Sequence, residues 1–383
     1  MKKSLIALAF GTLGLGIAEF VMMGILPDVA RDLGISIATA GHLISAYALG
    51  VCVGAPMLIL ARRYQLKYIL MFLVGVMMLG NICAALSPNY WVMLVARFIS
   101  GLPHGAYFGV ASIVAEKLAD KGRGSEAVSI MIAGMTIANL FGVPLGTALS
   151  ASISWRLTFL LVGCWGVIIL YYMWRWVPRV ENLPDTGLRG QFRFLKSPAP
   201  WLILGATLLG NGGTFAWYSY VTPLLTNIAG FPARMITFLM VLAGLGMVVG
   251  NLAGGRLSDR FSPGRVAAFA QGMICVALLF IFFFAHISWL AVGLMCLCTA
   301  GLFAVSSPQQ VLLIRYSKGG EMLGAASVQV AFNLGNAIGA YVGGLPLQVG
   351  MSYSYPALVG APFAFVGCLL LVTFFRKYER RTI

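Results

Sequence analysis

The chain is predicted to be an all-α polytopic membrane protein, with twelve transmembrane helices in two pseudo-symmetric six-helix bundles. Three observations carry that expectation. Of 383 residues, 60% are hydrophobic and only 10% are charged, where a soluble domain carries about 25% charge. The apolar stretches each reach the ~20 residues needed to cross ~30 Å of hydrocarbon. Short basic clusters separate them, and the mean hydropathy is +0.91. Too little charge is present to cover a soluble surface, which excludes a soluble enzyme. The 24 Phe and the apolar excess exclude disorder. A β-barrel would show short alternating segments rather than continuous runs.

The spans are expected at roughly 4–27, 41–61, 68–86, 91–115, 127–150, 156–177, 199–227, 235–255, 266–286, 288–312, 321–346 and 354–375. The first begins like a secretory signal, but no small-residue cleavage site follows and the apolar run continues to Leu26. It reads as a retained helix that also directs insertion. The longest polar stretch, Arg175 to Ser197, divides the chain. The expected organisation is a first bundle over 1–177, a cytoplasmic linker over 178–198 and a second bundle over 199–383.

The net charge of +15 raises nucleic acid as a partner, but the basic residues form no single patch. With a cytoplasmic N-terminus, 22 of the 26 Lys and Arg fall on the cytoplasmic side. Outside lie Arg31, Arg156 and Arg234, and Arg97 sits within a span. That asymmetry predicts both termini in the cytoplasm and an even number of crossings. All seven cysteines lie in apolar runs and read as small packing residues. With only His42, His104 and His286 beside them, no metal site is expected.

The two halves look alike. Ala61-Arg62-Arg63-Tyr64 ends the second span, and Ser258-Asp259-Arg260-Phe261 ends the eighth, 197 residues later. Two related six-span bundles are what alternating access about a central site requires.

Charges inside hydrocarbon cost about 2.5–3.5 kcal/mol on insertion scales, so those present are candidates for function. Glu19 in the first span and Arg97 in the fourth both fall about 10–12 Å below the outer surface at 1.5 Å per residue. At comparable depth they could be paired or bridged through a water-filled cavity. Burial opposes the ionised carboxylate and a nearby Arg favours it, a balance that suits a proton carrier. Arg97, Gly101, His104 and Phe108 recur at helical spacing and share one face. His104 is a candidate proton relay or a satisfied packing residue.

In the fifth span, Asn139 precedes Gly142-Val143-Pro144-Leu145-Gly146, where Pro144 removes a backbone donor and the helix is expected to bend as part of a gate. In the second half, Asn211, Trp217 and Tyr218 lie in the seventh span, and Gln329, Asn333 and Asn336 share a face of the eleventh. Amides and aromatic rings with few charges suit a small neutral or amphipathic organic ligand. Each amide alone could equally be an interhelical hydrogen bond. No phosphate loop, nucleophile elbow or zinc-binding helix motif appears. The chain is therefore expected to be no enzyme and to need no cofactor, with protons as the coupling ion.

The turn Gly255-Arg256-Leu257-Ser258-Asp259-Arg260-Phe261, the stretch Arg97 to Gly105 and the stretch Gly134 to Gly146 together resemble the major facilitator superfamily, within it the twelve-span drug:proton antiporter group. Ala18-Glu19-Phe20, Gly41-His42-Leu43-Ile44-Ser45, Pro103-His104-Gly105-Ala106 and Ala331-Phe332-Asn333-Leu334-Gly335 are similar to its sugar-efflux-like members. The resemblance implies proton-driven efflux by a monomeric carrier in the bacterial inner membrane. It implies that Arg97 assists proton movement and that Asp259, in the turn with Gly255 and Arg260, latches the inner gate. One departure stands out. The first-half turn carries Arg62 and Arg63 where the family pattern has an acid, so its latch is missing.

The expected function is proton-coupled efflux of a small organic solute, sugar or drug-like. The alternatives are a nutrient importer of the same fold and a membrane-embedded sensor. Membrane lipid and the solute are the expected partners, and nucleic acid is not.

Overall fold

A computed structural model describes residues 2–35, 37–61, 63–180 and 187–379. Helices account for nearly all of it, and no strand occurs among the described residues. In chain order the first half holds α1 (Lys2–Asp32), α2 (Ile37–Met57), α3 (Leu66–Ala85), α4 (Tyr90–Lys117), α5 (Gly124–Ile137), α6 (Val143–Ser152) and α7 (Trp155–Trp176). A short α8 (Gly187–Gln191) precedes α9 (Pro198–Tyr218), α10 (Val221–Pro223), α11 (Ile236–Arg260), α12 (Pro263–Phe284), α13 (Ser288–Tyr316), α14 (Glu321–Gln348) and α15 (Tyr355–Phe374). The fifth expected span is α5 and α6 joined by a π-turn over Ala138–Gly142. The seventh is α9 and α10 followed by a π-turn over Leu224–Ile228. Each of the other ten spans corresponds to one long helix. The fold class matches the expectation.

Two local outcomes differ from the sequence reading. The first helix does not stop at Pro27 but runs on to Asp32. The end of α1 is instead marked by charge. Asp32 pairs with Arg156 at 2.9 Å and accepts from the Trp155 indole at 3.2 Å, while Ser150 donates to Asp28 at 2.7 Å. Arg156 also donates to the Ser87 and Ala85 carbonyls at 2.6 and 3.2 Å, satisfying acceptors that the end of α3 leaves open. The second difference concerns the two related turns. Helix α2 contains Pro56 and gives way to a 3-10 turn over Leu58–Ala61, because Pro lacks the donor and crowds the preceding turn. Its counterpart α11 stays α-helical to Arg260.

The chain forms two compact units. One comprises Met1–Phe194 with Ser317–Val330, the other Leu195–Tyr316 with Ala331–Ile383. Within each, the same packing device recurs. A Cβ on Gly50 or Gly54 of α2 would fall onto the Phe98 or Leu102 carbonyl oxygen of α4. In the second unit, a Cβ on Gly250 or Gly254 of α11 would fall onto the Ala300 or Ala304 carbonyl oxygen of α13. Likewise Gly134 of α5 meets the Ala9 carbonyl of α1, and Gly335 of α14 meets the Leu208 carbonyl of α9. Lipid tails are as apolar as side chains, so helices in a bilayer gain little by burying Leu. Close backbone approach at small residues supplies the contact instead. The repeat is thus present in the packing as well as in the turns.

The first unit is filled on one side of its buried polar residues by Val21, Met22, Ile25, Leu43, Met93 and Phe159. Outward faces stay apolar, with Phe72, Trp91 and Phe269 at 70%, 70% and 75% exposure. A soluble protein would carry charge there.

Candidate functional site

Four polar side chains from three helices meet inside the first unit. Helix α1 contributes Glu19, α2 contributes Tyr47, and α4 contributes Arg97 and His104, all buried. Gly101, between the two α4 residues, makes the meeting possible, since a Cβ there would strike the Tyr47 carbonyl oxygen.

Arg97 ties the helices together. Its Nη1 donates to the Ala18 carbonyl of α1 at 2.7 Å and its Nε to the Leu43 carbonyl of α2 at 3.4 Å. Its guanidinium lies over the Tyr47 ring at 4.5 Å and the Phe159 ring at 5.5 Å, a desolvated cation–π arrangement. The planar fork, with donors on several edges, is what lets one side chain hold two backbones.

The sequence reading has Glu19 and Arg97 paired or bridged through a cavity; among the described residues no direct ion pair within 4.0 Å joins them. The near neighbour of the carboxylate is His104, with Oε2 3.7 Å from Nδ1. That is close approach beyond hydrogen-bond length, and it becomes an ion pair only when the imidazole is protonated. Nδ1 is also 2.9 Å from the Tyr47 hydroxyl, which reaches the Leu15 carbonyl at 3.3 Å. The hydroxyl can serve either tautomer. When Nδ1 bears hydrogen, Tyr47 accepts it and donates to Leu15; when Nδ1 is bare, Tyr47 donates to the ring. The His104 ring is held flat against Phe108, centroids 5.0 Å apart and planes 8° apart.

Three buried atoms in the cluster have no hydrogen-bond partner among the described residues: Glu19 Oε2, Arg97 Nη2 and His104 Nε2. Native interiors leave few such groups, and each calls for an explanation. An acid, an imidazole and a hydroxyl in series, beside a fixed cation, can take up a proton and pass it on. Tyr47 escaped the sequence reading because a tyrosine in an apolar run reads as an aromatic packing residue. Treating every hydroxyl in a span as a polar group would have found it.

The remaining candidates fall elsewhere. Asn139 lies in the π-turn, and its amide donates to the Met135 carbonyl at 3.1 Å. Gly142 packs against Ile17 of α1, and Pro144 sits in the first turn of α6. The π-turn widens the helix just where the Pro144 ring would crowd the carbonyl four residues back. The Asn211 amide donates to the Thr207 carbonyl at 2.7 Å.

In the second unit, Trp217 is in the hydrophobic core with Tyr218 packed against it. The Trp217 indole nitrogen and Asn336 Oδ1 are buried without a hydrogen-bond partner among the described residues. Helix α14 carries Gln329, Asn333 and Asn336, but Gln329 belongs to the first compact unit and the other two to the second. Gln271, buried with its Nε2 lacking a partner among the described residues, was missed. Its amide occupies the space beside Gly210.

Of the turn residues, Arg62 lies outside the described residues. Arg63 is exposed in the turn after α2. Gly255 and Asp259 are in the last turns of α11, and the Arg260 guanidinium lies 5.4 Å from the Phe261 ring.

Comparison with known proteins adds five likenesses. The sequence profile of the Major Facilitator Superfamily matches residues 8–328. "Putative transporter AraJ" of Escherichia coli (strain K12) is 49% identical over 384 aligned positions, covering 100% of this chain and 97% of that protein. "Inner membrane transport protein YdhP" of Escherichia coli (strain K12) is 36% identical over 374 positions, covering 97% and 96%. "Probable sugar efflux transporter" of Helicobacter pylori (strain ATCC 700392 / 26695) is 27% identical over 352 positions, covering 91% and 88%. Among solved structures, the transporter FucP in the outward conformation superposes with a TM-score of 0.78 at 16% identity, covering 97% of this chain and 98% of FucP. That last likeness concerns the fold.

Proposed function

Because the chain belongs to the Major Facilitator Superfamily, whose members here are transporters rather than enzymes, we propose that it exports a small neutral or amphipathic organic solute, sugar or drug-like, in exchange for protons. The observation that carries the coupling is the Glu19–His104–Tyr47 cluster. A carboxylate is buried in an apolar span, one oxygen without a hydrogen-bond partner among the described residues and 3.7 Å from an imidazole. Protonating Glu19 removes a buried charge, and the state of the cluster then depends on which side of the membrane supplies the proton. Arg97, hydrogen bonded to α1 and α2, links that charge to helix position.

Efflux and a sugar-like solute draw support from the printed name of the Helicobacter pylori relative. The buried amides Asn211 and Asn333 with Asn139, Gln329, Asn336, Trp217 and Tyr218 are the proposed solute contacts. Gly142, Pro144, Arg63, Gly255, Asp259 and Arg260 are the proposed gate. The coupling ion needs no cofactor. The carrier is proposed to act as a monomer in the bacterial inner membrane with both termini in the cytoplasm, as the printed name of one relative and the 22 of 26 basic residues on one side suggest.

The test is flux in proteoliposomes under an imposed pH gradient, with a radiolabelled pentose, hexose and disaccharide and one lipophilic dye. Accumulation of at least one against its gradient, abolished by collapsing the pH difference, is the expected result. Glu19→Gln should lose gradient-driven accumulation at least tenfold while keeping solute exchange. Equal flux with and without the gradient removes the coupling. Binding without flux makes the protein a sensor, and proton and solute moving the same way makes it an importer.

A further inference from the structure

The first unit has a second feature, separate from the buried cluster. A groove of about 610 Å³ opens between α2, α3 and α4. Gly54 and Met57 form one wall, Tyr68, Phe72 and Val76 the other, and Pro103 lies in its lining on α4. The 3-10 turn that ends α2 contributes Leu58, Leu60 and Ala61 to its lining. Among the described residues, its only polar lining groups are two tyrosine hydroxyls, and the rest of the lining is apolar. It faces outward, with Phe72 and Tyr64 at 70% and 67% exposure. From Tyr68 to Val76 it follows eight residues of α3, about 12 Å at 1.5 Å per residue.

Two basic residues stand beside Tyr68, at one end of this groove. The Tyr68 hydroxyl accepts from Arg179 Nη2 at 2.9 Å, and the guanidinium stands 5.8 Å from the Tyr68 ring. Next to it, Lys67 Nζ donates to the Trp174 carbonyl at 2.8 Å. Burial pulls the Lys67 pKa below the usual lysine range, and the Arg179 charge close by acts in the same direction. Two cations stand by the Tyr68 end of the apolar slot, and like charges so placed favour an anion beside them. The apolar slot adds a requirement for a hydrocarbon chain attached to that anion.

We propose that this groove is a binding site for an anionic phospholipid, one acyl chain lying along Phe72 and Val76 and the phosphate on Lys67 and Arg179.

The purified full-length protein in detergent tests this by native mass spectrometry. It is titrated with dioleoyl phosphatidylglycerol, with dioleoyl phosphatidylcholine and with glycerol 3-phosphate. Phosphatidylglycerol should bind at least tenfold more tightly than phosphatidylcholine, and glycerol 3-phosphate should not compete at matched concentration. Lys67→Ala with Arg179→Ala should lower phosphatidylglycerol binding to the phosphatidylcholine level. Val76→Trp, which fills the slot, should weaken both lipids. Arg179→Gln alone, in an exposed segment after α7, keeps the test open should the double variant fail to fold, and should lose at least threefold. Equal binding of the two lipids overturns the proposal, as does a lipid preference that survives both basic substitutions. Competition by glycerol 3-phosphate would show a headgroup site without a chain slot and overturn it too.

Discussion

The Tyr47 hydroxyl lies 2.9 Å from His104 Nδ1, the same nitrogen that faces Glu19 Oε2 at 3.7 Å. The imidazole therefore sits between a hydroxyl that can donate or accept and a carboxylate. Tyr47→Phe removes only the hydroxyl and leaves the ring beneath Arg97, 4.5 Å from its guanidinium. Losing its two buried hydrogen bonds, to His104 and to the Leu15 carbonyl, costs about 2 kcal/mol of stability, so the protein should stay folded. Proton-driven accumulation should fall about tenfold with solute exchange kept. Unchanged coupling in that variant would remove Tyr47 from the relay.

The glycine seams predict a sharp contrast between neighbouring positions. Gly54→Val drives a side chain into the Leu102 carbonyl of α4, and overpacking costs about 1–3 kcal/mol or more. The repeat predicts the same outcome for Gly250→Val against Ala300. Gly75 is the control: nothing lies within 4 Å of the point where its Cβ would stand, and Gly75→Ala should be neutral. Thermal unfolding and monodispersity in detergent measure all three. Equal midpoints would mean that these seams do not set the packing.

Pro144 and the π-turn before it should act together. Pro144→Ala restores a donor and removes the ring, so the extra residue of the turn can be reabsorbed into a regular helix. That would rotate Asn139 relative to α6 by about 100°. Transport should fall several-fold while the unfolding midpoint stays or rises. Full transport in this variant would make the π-turn dispensable.

Sidedness is tested with single cysteines in a background lacking the native seven. Arg234→Cys, exposed before α11, should react with a membrane-impermeant maleimide in intact cells. Lys318→Cys, exposed between α13 and α14, should react only after permeabilisation. The reverse pattern would invert the orientation drawn from the Lys and Arg distribution.

Much of this protein was legible before any fold was seen. Hydrocarbon tolerates few charges and demands internally satisfied backbone, so the number of helices, the two halves and the prominence of Glu19 and Arg97 follow from the order of residues alone. The partners of those two residues do not. Glu19, Tyr47 and His104 are far apart in the chain, and their meeting depends on how three helices are rotated about their axes. In a soluble helix an apolar stripe would record that rotation. Here the lipid-facing side is as apolar as the packed side, so the stripe is erased. Tertiary packing alone decided that His104 comes within 3.7 Å of Glu19, that Tyr47 joins them, and that an apolar groove opens near Lys67 and Arg179.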